Sequence, residues 1–170
     1  MRYICHAKSA IVASAAMIAL AFVPQSAFAG TATATMAVTA TVSTNCSVIA
    51  NPLAFGTYSG AALNVSTTIS VTCTNTTPYN VGLSAGSGSG ATVANRLMTN
   101  TATGSTQTLG YSLLSGSFTG TNWGNTSATN WVGGTGTGSA QSMTIYGVVA
   151  AGQFPTPGSY ADSITVSVNY

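Results

Sequence analysis

Few residues in this sequence are able to do chemistry, and their types decide which chemistry is open. Beyond residue 29 the chain carries one positive side chain, Arg96, and one negative, Asp162. It has two cysteines there, Cys46 and Cys73, and no Glu, Lys or His. General acid–base catalysis needs a group that titrates near the working pH, most often His or a carboxylate. A serine nucleophile here would lack its base, and paired carboxylates cannot be assembled from Asp162 alone. One carboxylate and two cysteines without C-x-x-C spacing also fall short of a zinc ligand set. The chain therefore reads as a non-enzyme with no cofactor or metal. One arginine cannot displace the counterions of a nucleic acid or hold an anionic membrane surface.

The cysteines read as architecture. An even pair in an exported chain points to one disulfide, Cys46 to Cys73. It closes a loop of about 28 residues and stabilises the domain by roughly 3–4 kcal/mol in the chain-entropy model. Export is expected from residues 1–29, which have the form of a signal peptide. Arg2 and Lys8 give a positive start, residues 9–23 an apolar stretch, and Ala27 and Ala29 a small-residue cleavage site. The apolar run is short for a membrane span. Cleavage would leave Gly30 first, remove Cys5 and His6, and make the mature chain formally neutral. So little charge favours association.

The rest of the sequence alternates with period two, the rhythm of strands, and lacks helical periodicity. Ile69, Val71 and Cys73 share a face, as do Tyr79, Val81 and Leu83. Leu109, Tyr111 and Leu113 form a third set, and Met143, Ile145, Gly147 and Val149 a fourth. Residues 160–170 read as one final strand, with Tyr160, Asp162, Ile164, Val166, Val168 and Tyr170 on one face. Turn signals separate these runs at Asn51-Pro52, Thr77-Pro78, residues 84–90, residues 133–138 and residues 155–158. The expectation is an all-β fold, an antiparallel sandwich or barrel in one domain.

Residues 31–42 alternate as well, with Ala34, Met36, Val38, Ala40 and Val42 opposite a face made mostly of threonine. Such a strand needs a sheet edge to satisfy its backbone. It is either the first strand of its own sandwich or a strand donated to a neighbour. Burying the five side chains would contribute roughly 5–8 kcal/mol.

Ordered pieces across the chain carry a family resemblance. They are Cys46-Ser-Val, Leu53-Ala-Phe-Gly-Thr-Tyr58, Ile69-Ser-Val-Thr-Cys73 and Pro78-Tyr-Asn-Val-Gly-Leu83. Arg96-Leu-Met98, Leu109-Gly-Tyr-Ser-Leu113, Trp123-Gly124 and Pro157-Gly-Ser-Tyr-Ala-Asp162 follow, leading into a terminal strand over residues 166–170. Together they resemble the spore coat protein U family, which includes the major subunits of archaic (Csu-type) chaperone–usher pili. The resemblance implies an incomplete immunoglobulin-like β-sandwich completed by donor-strand exchange. Residues 30–43 would be the donor strand, with contacts from Ala34, Met36, Val38, Ala40 and Val42. Residues 44–170 would be the pilin domain, its acceptor groove bordered by Ile164, Val166, Val168 and Tyr170.

The implied partners are copies of the same chain, a periplasmic chaperone, an outer-membrane usher and a tip adhesin subunit. The implied place is a cell-surface pilus, reached through the periplasm and serving adhesion and biofilm formation. A shaft subunit fits better than a tip adhesin, which would carry a further N-terminal binding domain. Two alternatives stand beside it. One is a spore-coat-like surface structural protein. The other is a secreted carbohydrate-binding module using Trp123 and Trp131, assisted by Tyr111 and Tyr146; against it, large aromatics dominate small cores.

Overall fold

The computed structural model describes residues 29–126 and 129–170. Residues 1–28 of the expected signal peptide lie outside them. Contacts divide the chain at residue 40, and residues 41–170 form the folded unit.

Strands in this unit follow the alternating runs. In chain order they are β1 (Cys46–Ala50), β2 (Leu63–Cys73), β3 (Pro78–Leu83), β4 (Arg96–Asn100) and β5 (Thr108–Ser115). Then come β6 (Thr121–Asn122), β7 (Val132–Thr135), β8 (Gln141–Val149), β9 (Tyr160–Ala161) and β10 (Val166–Asn169). Every pairing is antiparallel. The larger sheet runs β1-β2-β8-β5-β4-β9 with β6 on the end of β5, and the smaller runs β10-β3-β7.

The core is made by the predicted faces. Ile69 and Val71 of β2, Leu109, Tyr111 and Leu113 of β5, and Ile145 and Val149 of β8 are buried on the larger sheet. Tyr79, Val81 and Leu83 of β3 answer them on the smaller. Period-two alternation puts these residues on one side of each sheet, and an apolar sheet face is stable only when a second layer covers it. Cys46 and Cys73 sit directly opposite each other in the β1–β2 register and form a disulfide with Cα atoms 4.1 Å apart.

Trp123 and Arg96 fasten the two layers together. Trp123 is 1% exposed. Its backbone N–H donates to the carbonyl of Leu113 at 2.8 Å, and its Nε1–H to that of Val81 at 2.8 Å. Arg96 projects from β4 and is fully buried. Its Nε donates to the Ser84 carbonyl at 2.9 Å and Nη1 to that of Val93 at 3.0 Å. Its Nη2 donates to the carbonyls of Leu83 at 3.2 Å and Trp123 at 2.6 Å. A planar guanidinium with five donors suits such a fork of carbonyls, and a buried cation must find such partners.

Two sequence expectations are corrected. Residues 160–170 are not one strand: β9 pairs with β4 in the larger sheet and β10 with β3 in the smaller. Residues 162–165 cross between layers, so the single alternating face spans two sheets. Gly133 and Gly134, expected in a turn, lie in β7 beside β3. A Cβ on Gly134 would sit 2.5 Å from the ring of Tyr79. Glycine there lets a strand pass over a buried aromatic, which the composition disguised as a loop.

Candidate functional site, an apolar groove along one flank

β1 and β10 are the edge strands on the same flank of the two sheets, and β10 pairs with β3 alone among the described residues. Between the layers there lies a groove of about 1220 Å³. One wall is the strandless segment of residues 51–60, and the other is the chain over residues 154–166. The floor is buried core, including Leu83, Leu109, Leu113, Ile145 and Val149, with half-buried Leu63 and Met98 beside it.

The first wall is built by packing onto β8. Leu53 and Phe55 lie over Gly147, where a Cβ would approach their side chains to 2.8 and 2.9 Å. Phe55 also meets the ring of Tyr111 edge-on at 5.9 Å between centroids, a favoured aromatic geometry. The two walls are tied together at one end. Tyr58 Oη donates to the carbonyl of Ala150 at 2.8 Å and accepts from the Gln153 N–H at 3.0 Å. The Gly152 N–H donates to the Gly60 carbonyl at 2.9 Å.

Asp162, the carboxylate of the second wall, is not free for chemistry. It accepts hydrogen bonds from Tyr111 Oη, from the N–H and Oγ of Ser87, and from the Ser163 N–H, each at 2.7 Å. Burial alone would raise its pKa, but the bonds from Tyr111, Ser87 and Ser163 outweigh it and hold the carboxyl below its ordinary value. The Tyr111 phenol is pushed well up, first by burial and then by its bond to Asp162. Burial lowers the pKa of Arg96, and Tyr111 and Asp162 oppose that shift. Among the described residues no three of His, Cys, Asp or Glu gather as a metal set.

The site residues expected from the sequence separate into groups. Ile164 and Val166 line the groove. Val168 is half-buried on β10 opposite Val81, and Tyr170 lies beyond the strand, 59% exposed; neither reaches the lining. Ala34, Met36, Val38, Ala40 and Val42 are all exposed, and residues 29–45 belong to no strand. The floor residues and Leu53, Phe55 and Phe154 were not assigned to a site from sequence. The spacing of Leu53, Phe55 and Tyr58 carries a partial signal, since it puts three large apolar groups in a stretch of Ala and Gly. Of the residues weighed for sugar stacking, Trp123 is packed in the core and Tyr111 is buried. Tyr146 lies edge-on against Phe118 at 5.0 Å.

Comparison with known proteins places this geometry. No curated protein matches the chain. A chain in the crystal structure of the CsuC–CsuE chaperone–tip adhesion subunit pre-assembly complex, from archaic chaperone–usher Csu pili of Acinetobacter baumannii, is similar in fold. Its TM-score is 0.54 at 23% identity, over 76% of this chain and 40% of that one. The present chain thus spans less than half of that protein. The E. coli Hda pilus minor tip subunit HdaB matches at a TM-score of 0.34 and 18% identity, over 73% of this chain and 79% of that one. The Spore Coat Protein U domain model matches residues 32–167, and the chain belongs to that family.

Proposed function

We propose that this chain is a non-catalytic shaft subunit of a chaperone–usher pilus, joined to the next copy when residues 31–42 of one subunit fill the groove of another. The observation that carries the reading is the open groove beside an unpaired sheet edge, in a chain that also holds an exposed, strand-patterned segment. A strand in this slot would meet β10 at Val166 and set its apolar face against the half-buried Leu53, Phe55, Met98 and Ile164.

Export with cleavage after Ala29 brings the subunit to the periplasm. There a chaperone would cover the groove until an outer-membrane usher exchanges it for the donor strand, and the finished pilus would serve adhesion and biofilm formation. A tip adhesin is a further partner of such an assembly.

Val38→Asp tests the reading. A carboxylate forced into an apolar slot costs several kcal/mol, so the variant should fold but form no detergent-resistant ladder in an unheated gel. Ladders equal to those of the unmodified chain would overturn the donor assignment.

A further inference from the structure

The most exposed large apolar side chain of the folded unit is Phe154, at 91%. It lines the groove at the end where the two walls are tied. We propose that Phe154 packs over residues 31–42 of a neighbouring copy, stopping the strand at that end and so setting its register. This rests on the donor-strand reading above.

Three observations support a built contact. First, the strap that carries Phe154 is pinned on either side of it. The Gln153 side chain spans the backbone of Gly110: Oε1 accepts from the N–H at 2.7 Å, and Nε2 donates to the carbonyl at 2.9 Å. Gln153 N–H and Gly152 N–H are held by Tyr58 and Gly60. Beyond Phe154, Pro155 and Pro157 restrict the backbone, and Tyr160 Oη donates to the Thr156 carbonyl at 2.7 Å. Ordering entropy that a flexible loop would lose on binding is already lost in the free subunit.

Second, the ring edge lies beside Gly60 of the opposite wall, 3.8 Å from where a Cβ would be. The ring edge therefore reaches the opposite wall at the tied end of the groove, where it can cover a strand seated there. Third, the chemistry of the occupant matches. The segment is uncharged, and Met36, Val38 and Val42 are exposed by 82–85%; a phenyl ring gains from covering such groups, with a thioether making a favourable sulfur–aromatic contact.

The test uses the full chain with Val38→Asp and Phe154→Trp together. The first change disables the chain's own donor and leaves its groove free. The second puts an emission probe on the rim, with the Val38→Asp chain subtracting Trp123 and Trp131. A synthetic, dye-labelled peptide of residues 31–42 is titrated in, with anisotropy reporting its retention. Saturable retention with a blue shift of the probe is expected. Retention without a shift would overturn the role of Phe154 and leave the donor reading standing; no retention would overturn both. In the Val38→Asp chain, Phe154→Ala should release the peptide about tenfold faster, and Phe154→Leu should recover most of that loss. The Phe154→Ala chain should keep its melting temperature. A lowered one would make the ring part of the fold and remove the proposal.

Discussion

One flank of this sandwich closes on itself and the other does not. On the closed side, the guanidinium of Arg96 ends on four carbonyls of its own chain, and Trp123 bonds a strand of each sheet. On the open side, the walls over residues 51–60 and 154–166 stand apart above apolar floor residues, with Phe154 bare at one end. Both flanks end in strands with a single neighbour among the described residues, β1 and β9 in the larger sheet and β10 and β7 in the smaller; what differs is that the walls of the open side are largely irregular chain, over residues 51–60 and 154–159. Both charged side chains of the described residues, Arg96 and Asp162, are engaged within the chain. An uncharged groove recognises a strand by shape and backbone rather than by charge.

Breaking the closed flank should cost the most. Arg96→Ala leaves buried carbonyls without partners and opens a void beside Trp123, and it should destabilise the fold by about 3–5 kcal/mol. Urea unfolding in the Val38→Asp background, free of assembly, measures this. Arg96→Lys should recover little, because an ammonium cannot reproduce the fork that spans Leu83, Ser84, Val93 and Trp123. A loss under about 1 kcal/mol, the size of an ordinary hydrogen bond, would mean that Arg96 is not what fastens the layers.

The open flank has its own fastening, of smaller expected effect. The disulfide joins the first residue of β1 to the last of β2 in register, at the root of the exposed segment. The double substitution Cys46→Ala with Cys73→Ala should cost about 3–4 kcal/mol. In that model the bond acts through the unfolded state, so hydrogen exchange should rise at the most protected amides of both sheets. A rise confined to residues 46–50 would show instead that the bond only staples the edge strand.

The contrast between flanks also explains what the sequence disclosed. Strand faces around Ile69, Val81, Leu113 and Ile145 were legible because each is buried on one side and wet on the other, which period-two alternation records directly. Gly133 and Gly134 misled because a strand crossing the ring of Tyr79 must shed its side chains. The break between β9 and β10 was hidden because Asp162 and Ile164 keep the alternation going while the chain changes sheets. Arg96 was readable only as a lone charge, since its partners are carbonyls and carbonyls have no sequence signature. The groove was least legible of all. Its wall over residues 51–60 is irregular, and its floor residues look the same in sequence as those of a closed core. That the edge is open came from the family resemblance, not from periodicity.

Acid should probe the junction of the two flanks, where Asp162 of the groove wall meets Tyr111 of the core. Its pKa in the folded chain lies below the unfolded value of about 3.9. The stability it supplies is therefore fully present above that unfolded value and is lost as pH falls through the lower, folded one. No Glu, Lys or His occurs between residues 30 and 170, so the melting temperature should be flat from about pH 5 to about pH 9, between the carboxylate and tyrosine ranges. Below that plateau a single acid limb is expected, smaller than either loss above because the carboxylate is half-exposed and screened. Asp162→Asn should lower the plateau and flatten the limb, since the amide accepts fewer of the four bonds and does not titrate. A limb that persists in Asp162→Asn would place the acid sensitivity outside this cluster.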